Sequence, residues 1–135
     1  DLFAEDHPLQ MPEITRLQRM KTGSLIAVSC EMGAILGRAS EKALHALHAY
    51  AHDVGLAFQI ADDILDVEGD AETVGKAVGK DDAAGKATFV SHLGLAGAKT
   101  RAAELVDLAC DALSEYGPEA QSLRAAAAFV IARDS

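Results

Sequence analysis

The chain has 135 residues, half of them hydrophobic, and a formal net charge of -9. A chain of this length can bury one modest core, which predicts a single domain or one part of a larger domain. The negative charge argues against nonspecific binding to nucleic acid or to an anionic membrane surface, because both need a basic patch that neutralises phosphates.

The chain begins at Asp1, without an initiating Met and without a basic, apolar signal segment. Such a start suggests that upstream sequence is missing or was removed, so we expect residues 1 to 135 to be a piece of a longer protein.

Cys30 and Cys110 are isolated residues in apolar, helical stretches, and the sequence has no CxxC spacing. This context favours buried free thiols in a reducing cytoplasm over a disulfide or a zinc site. No apolar run approaches the roughly 20 residues that a membrane span needs. We therefore expect a soluble, cytoplasmic protein with no stable membrane anchor.

Strand signals are nearly absent, since apolar and polar residues do not alternate and helix-forming residues occur throughout. The predicted fold class is all-α. Pro12 suits the first turn of a helix that carries Ile14 and Leu17 inward. A second helical run is predicted from about 22 to 36, with Gly37 as its stop.

The longest helix is predicted to begin after Ser40 and to end at about Val67. Its apolar residues keep a spacing of three to four, at Leu44, Leu47, Ala51, Val54, Phe58, Ala61 and Leu65. From 68 to 86, glycines alternate with charged residues, which predicts a long loop with at most a short helix inside it. Three further helical stretches are predicted at about 88 to 93, 98 to 116 and 119 to 133.

Asp62, Asp63 and Asp66 form a carboxylate cluster near the end of the longest predicted helix. Residues three and four apart lie on one side of a helix, so we expect the three carboxylates to converge. Like charges repel unless a cation offsets them, and carboxylate oxygens suit Mg²⁺ that is completed by waters and phosphate oxygens. The alternative is a solvated acidic face, which is less favourable here because the helix C-terminus already has partial negative charge.

The pattern FQxxDDxLD resembles the second aspartate-rich motif of trans-isoprenyl diphosphate synthases, the polyprenyl synthetase family. It consists here of Phe58, Gln59, Asp62, Asp63, Leu65 and Asp66. A KTG run at 21 to 23 precedes it, and Lys76 and Lys86 follow where the family has two loop lysines. The resemblance extends from about Pro8 to Arg133 and looks closest to bacterial farnesyl or geranylgeranyl diphosphate synthases.

The resemblance implies the C-terminal half of an isoprenoid-synthase-type helical bundle, in a single helical domain at 1 to 135 that belongs to a larger synthase domain. It implies a Mg²⁺-dependent prenyltransferase that condenses an allylic diphosphate with isopentenyl diphosphate, typically as a homodimer. The metal ligands implied are Asp62, Asp63 and Asp66, and the catalytic residues are Asp62, Lys21 and Thr22. The implied substrate-binding residues are Lys21, Thr22, Phe58, Gln59, Lys76 and Lys86.

The family's first aspartate-rich motif, a DDxxD run on an earlier helix, has no counterpart in residues 1 to 135. Half of the implied metal site is therefore absent, and we expect this polypeptide alone to be inactive. Two alternatives remain open: a noncatalytic helical subunit of the same fold, and a helical bundle with an acidic face and no ligand.

His45, His48 and His52 stand at a spacing of three and four residues on the longest predicted helix. This spacing can place imidazoles together as zinc ligands. Together with Glu41 it is more typical of a solvent-facing polar surface, and the family resemblance implies no role for these residues.

Overall fold

A computed structural model of the chain describes residues 11 to 74 and 88 to 133. These residues form four α-helices, and no strand occurs among them, which confirms the all-α class. The helices are α1 (Met11–Leu36), α2 (Glu41–Val74), α3 (Phe89–Ala112) and α4 (Gln121–Ala132), with a short 3₁₀ turn at Pro118–Ala120.

Helix α1 is continuous, so the prediction of two separate helical runs between Pro12 and Gly37 is wrong. Gly23 lies inside the helix, at its crossing with α2. A Cβ atom placed on Gly55 of α2 would lie 3.7 Å from the Cα atom of Gly23. A Cβ atom on Gly23 itself would meet no atom within 4 Å, so the glycine of the KTG run continues the helix and does not mark a break.

Helix α1 ends at Leu36, and Gly37 follows it as predicted. The left-handed residue of the terminus is Arg38, with φ of 54°. The amide of Ala39 donates to the carbonyl of Ala34 at 2.9 Å, which closes the helix end with a Schellman-type turn. Ser40 then caps α2, because its hydroxyl accepts from the amide of Ala43 at 3.1 Å.

The core lies mainly between α2 and α3, which make the most extensive helix-to-helix contact in the described ranges. Ile60, Leu105 and Leu113 are its largest fully buried side chains. The remaining core positions are dominated by small residues, namely Ala57, Ala98, Ala102, Ala109 and Ala127. Buried alanines allow close helix packing, so the core is dense although the side chains are small.

Helix α2 continues to Val74, so its predicted end at Val67 is wrong and part of the predicted loop is helical. Gly69 interrupts the helix-forming residues of this segment at a cost of only about 1 kcal/mol. Glu68 pairs with Lys99 of α3 at 2.5 Å, a contact between distant parts of the chain that local sequence cannot show. The rest of the predicted loop, 75 to 86, lies outside the described residues.

Helix α3 begins with a capping box: the Thr88 hydroxyl accepts from the Ser91 amide at 3.1 Å, and the Ser91 hydroxyl accepts from the Thr88 amide at 2.9 Å. The predicted gap between two helical stretches here is a kink at Gly94, with φ of 75°. Helix α4 is fastened to the core by Tyr50, whose hydroxyl donates to the carbonyl of Leu123 at 2.7 Å.

Candidate functional site

The predicted site residues of α2 divide between two sides of the helix. Gln59, Asp62 and Asp66 follow one another at a spacing of three and four, so they share a face. Asp62 is 44% exposed at its side chain, whereas Asp63 is 8% exposed. The expected convergence of all three carboxylates is therefore wrong, because Asp63 turns toward the interior while Asp62 and Asp66 stay at the surface.

Asp63 is the buried charged residue of the described ranges, and its carboxylate has two donors. Arg19 of α1 donates from Nη2 to Oδ2 at 2.7 Å. The backbone amide of Phe89, the first residue of α3, donates to the same oxygen at 3.1 Å. The Arg19 guanidinium also lies over the Phe89 ring, 5.1 Å from its centroid. We refer to Arg19, Asp63 and Phe89 as the Asp63 junction, at which three helices meet.

Asp62 is paired with Arg133, the residue that follows α4. The Arg133 guanidinium also lies over the ring of Phe58, 4.2 Å from the centroid, in a cation–π contact. Phe58 is half-buried beneath it. The cations that offset the repulsion between Asp62 and Asp63 are thus two arginines of the chain itself, so this repulsion is not in itself evidence for a bound metal.

A cavity of about 530 Å³ lies between α1 and α2. Gln59 lines it together with Arg19 and Phe89 of the Asp63 junction. The other lining residues are mostly apolar or small, and they include Met20, Gly23, Ala27, Ala51, Gly55 and Leu56. Such a largely apolar cleft with a few polar groups at one end is typical of a binding site for an amphipathic ligand.

Lys21 and Thr22 lie on α1, beside Met20 and Gly23 of this cavity. Lys21 is exposed and lines a second, shallow cavity of about 460 Å³ with Met20, Ser24, Leu25 and Val28. Thr22 is half-buried. The KTG run thus lies on the helix that packs against the aspartate-bearing helix. Lys76 and Lys86 lie outside the described residues.

Within residues 11 to 74 and 88 to 133, no three His, Cys, Asp or Glu side chains are grouped so that they could hold a metal ion by themselves. Asp62 and Asp66 are one helical turn apart and offer hard oxygen ligands. Two carboxylates fit a Mg²⁺ ion that is shared with phosphate oxygens and waters rather than one enclosed by protein.

The histidines His45, His48 and His52 are all exposed, as a polar surface requires. His48 and His52 additionally line the cavity between α1 and α2. Cys30 and Cys110 are free and half-buried. Burial raises the pKa of the Cys30 thiol, so this group is neutral and a poor nucleophile near neutral pH.

The model of the family described as polyprenyl synthetase matches residues 1–124. The chain belongs to the polyprenyl synthetase family. Its match spans the KTG run, the aspartate motif and the whole of α3, so the family assignment includes every residue of the Asp63 junction.

Two bacterial farnesyl diphosphate synthases are among the relatives of the chain in the polyprenyl synthetase family. The chain is 40% identical to the farnesyl diphosphate synthase of Escherichia coli over 138 residues, which cover 99% of the chain and 46% of that enzyme. It is 38% identical to the farnesyl diphosphate synthase of Geobacillus stearothermophilus, of which it covers 45%. The chain therefore spans less than half the length of the curated relatives it matches.

A solved structure of a polyprenyl synthetase relative has the same fold over the described helices. The FPP/GFPP synthase from Zymomonas mobilis is 47% identical, with a TM-score of 0.71, and the match covers 96% of the chain and 42% of that protein. This similarity confirms the predicted isoprenoid-synthase-type bundle. None of the helices in the described parts of the chain combines the length and apolar character of a membrane-spanning segment.

Sequence reasoning missed three residues that contact the aspartates of the candidate site or the residues beside them: Arg19, Phe89 and Arg133. Arg19 stands two positions before Lys21, and Arg133 stands at the end of the last helix. A search of the sequence for positively charged residues that could pair with the aspartates would have identified both arginines as candidates. Their pairing with Asp63 and Asp62 could not be read, because 44 and 71 residues separate the partners.

Proposed function

We propose that the chain is the C-terminal half of a prenyltransferase that condenses an allylic diphosphate with isopentenyl diphosphate to give a short-chain prenyl diphosphate, farnesyl or geranylgeranyl. The observation that supports this most directly is the packing of α1, which bears Lys21 and Thr22, against α2, which bears Gln59, Asp62 and Asp66, in a chain whose family includes farnesyl diphosphate synthases.

In this proposal Asp62 and Asp66 would hold Mg²⁺. The bound ion would supply stabilisation of the negative charge on the diphosphate leaving group. The Asp62 side chain is 44% exposed and is paired with Arg133, whereas the Asp63 side chain is 8% exposed and has two donors from the chain. The geometry therefore favours Asp62 and Asp66 as the metal ligands over Asp63.

Lys21 and Thr22 bind the diphosphate in this proposal, with a point charge and a hydroxyl donor respectively. Lys76 and Lys86, assigned the same role by family resemblance, complete the set of cations. Gln59 faces the substrate from the cavity wall. Phe58 is held under Arg133, so we propose that it orients this arginine beside Asp62 and closes the side of the site. No covalent intermediate with the protein is involved.

Because the chain covers less than half of its relatives, we propose that it does not turn over alone. A further helical unit would supply the first aspartate-rich motif and the residues for isopentenyl diphosphate. The outer face of α1 has apolar side chains at Leu25, Val28 and Met32 that are exposed, as expected of a surface that packs on such a unit. A cytoplasmic homodimer is the proposed state of the complete enzyme.

The test is a chimera in which this chain replaces the matching segment of the Escherichia coli farnesyl diphosphate synthase. We expect the chimera to form prenyl diphosphate from labelled isopentenyl diphosphate and an allylic diphosphate in the presence of Mg²⁺, and the isolated chain to form none. A well-folded chimera without activity would contradict the proposal.

Within this chimera, Asp62→Ala should lower kcat by at least about 100-fold, because a charge-stabilising group at the reacting diphosphate is lost. The loss of a partly exposed ion pair with Arg133 should change the free energy of unfolding by only about 1 kcal/mol or less. Asp107→Ala, at an exposed carboxylate of α3, is the matched control and should change neither quantity. A large fall in melting temperature with normal activity would contradict the assignment of Asp62.

The second candidate function is a noncatalytic subunit of the same fold. It is favoured by the pairing of Asp62 and Asp63 with arginines of the chain, which satisfies both carboxylates without a metal. Thermal unfolding with Mg²⁺ and a bisphosphonate, a diphosphate analogue, separates the two functions. A synthase site should be stabilised only when both ligands are present, whereas a noncatalytic subunit should respond to neither.

A further inference from the structure

The Asp63 junction joins the start of α3 to α1 and α2 through one carboxylate. Both donors, Arg19 and the Phe89 amide, reach the same oxygen, at 2.7 Å and 3.1 Å. The Asp63 side chain is only 8% exposed. A buried carboxylate with two charge-assisted or backbone donors has a single well-defined orientation, because any other leaves a buried charge without partners.

The residues of the Asp63 junction lie close in sequence to the residues of the proposed site. Arg19 precedes Lys21 by two residues on α1, and Asp63 adjoins Asp62 on α2. Arg19 and Phe89 also form part of the wall of the cavity that Gln59 lines. A shift of the Arg19 side chain relative to Asp63 would therefore move the Lys21–Thr22 segment relative to Asp62 and would change the shape of the cavity.

Simple stabilisation does not explain the junction well. Replacing a buried ion pair by apolar residues of similar volume is often neutral or stabilising, so such pairs are weak evidence for a purely structural role. What the pair provides is a fixed register between two helices. The register matters most where both helices contribute groups to one ligand.

We propose, on the basis of the proposed function, that Asp63 is a positioning residue and not a metal ligand: through Arg19 and the Phe89 amide it fixes the diphosphate-binding segment of α1 relative to Asp62. Asp62 and Asp63 are adjacent aspartates with different tasks. Asp62 lies on the exposed side of α2 and faces the substrate. Asp63 lies on the buried side of α2 and holds α1 and α3 in place.

The experiment compares Asp63→Asn, Arg19→Met and the double variant in the chimera described above, with Asp62→Asn as the metal-ligand reference. We expect each single variant to raise the KM for the allylic diphosphate about 10- to 100-fold, because misplaced binding groups weaken productive binding. The double variant should be no worse than either single variant, since both remove one contact. The Mg²⁺ concentration for half-maximal activity should stay within about twofold of the wild type.

Arg19→Lys keeps the positive charge but not the guanidinium geometry, so its KM should lie between that of the wild type and the raised KM of Arg19→Met. Circular dichroism and thermal unfolding show whether each variant is folded. A tenfold or larger rise in the Mg²⁺ requirement for Asp63→Asn, comparable to that for Asp62→Asn, would make Asp63 a ligand and overturn the proposal. A normal KM for the allylic diphosphate in folded Asp63→Asn and Arg19→Met would also overturn the proposal, because the junction would then be a purely structural contact.

The wild-type chimera separates the two proposals. If it neither turns over nor is stabilised by Mg²⁺ with a bisphosphonate, the proposed function fails, and the positioning role fails with it. If the wild type is active but the effects of Asp63→Asn and Arg19→Met are additive, only the positioning role fails.

Discussion

Helices α1 and α3 have similar lengths, 26 and 24 residues, but they differ in how they use their apolar side chains. Helix α3 buries five residues, Ala98, Ala102, Leu105, Val106 and Ala109, against α2 and α4. Among the described side chains of α1, Ala34 is buried. Six large apolar side chains of α1 are exposed instead: Met20, Leu25, Val28, Met32, Ile35 and Leu36.

The helices that share a buried core are α2, α3 and α4, whereas α1 packs on α2 with one side and presents apolar surface on the other. The exposed side belongs to the same helix that bears Lys21 and Thr22. In the proposed enzyme this apolar face lies against a further helical layer, so the diphosphate-binding segment is positioned from two sides.

The largest effect that the comparison predicts comes from one leucine on each helix. Leu105 of α3 is 2% exposed, and Leu25 of α1 is 68% exposed. Leu105→Ala should lower the free energy of unfolding by about 3 kcal/mol, because it removes buried methyl groups and leaves a cavity. Leu25→Ala, the matched control, should lower it by less than about 0.5 kcal/mol. Urea unfolding of the 135-residue chain measures both.

Equal losses for the two leucine variants would contradict the comparison, because they would mean that the outer face of α1 is already buried in the isolated chain. A loss below about 1 kcal/mol for Leu105→Ala would mean that the core between α2 and α3 is loosely packed.

The sequence predicted the helical class and the family because both depend on local or contiguous signals. Pro12, the capping residue Ser40 and the apolar spacing of α2 are all readable along the chain. The continuity of α1 through Gly23 and of α2 through Gly69 could not be read, since both glycines look like breaks. In the structure, Gly23 lies within α1 at its crossing with α2, and the pair of Glu68 with Lys99 supports the extension past Val67.

The aspartate motif likewise combines features that local sequence shows with features that depend on contacts between distant parts of the chain. The residue pattern identified Asp62, Asp63 and Asp66 as one group, because helical spacing alone places them within reach of each other. Burial separates Asp63 from the other two, and this depends on Arg19 and Phe89, which lie on other helices. The metal roles of Asp62 and Asp66, and the roles of Lys76 and Lys86, remain predictions.

A smaller effect is expected at Tyr50, which joins the core to α4. Tyr50→Phe should lower the free energy of unfolding by about 1 kcal/mol near neutral pH, because the hydrogen bond to the Leu123 carbonyl is lost. Burial raises the pKa of Tyr50 from 10.0 to about 12. The raised pKa means that the neutral phenol stabilises the fold below pH 10.0, and that this contribution is lost as the pH rises toward about 12.

Urea unfolding of wild type and Tyr50→Phe across this alkaline range measures the difference. The stability of the wild type should fall more steeply with pH than that of the variant, so that the two curves approach each other. Parallel curves would show that Tyr50 ionises as an exposed tyrosine does, and would place α4 outside the common core.

The smallest effect on the free energy of unfolding of the isolated chain is expected at the outer face of α1. The same substitutions test whether that face is buried in the complete enzyme. The double variant Leu25→Gln and Met32→Gln exchanges two exposed apolar side chains for polar ones of similar length. In the isolated chain it should change the free energy of unfolding by less than about 0.5 kcal/mol, since neither side chain is in the core.

In the chimera the same substitutions should destabilise the enzyme by about 2 kcal/mol or more, because there they place polar groups in a buried helix contact. Since α3 has no such face, an equivalent exchange at its exposed Leu108 should have the same small effect in both proteins. Equal effects of the α1 double variant in the chain and the chimera would show that this face stays in solvent, and the further helical layer would then have to contact some other part of the molecule.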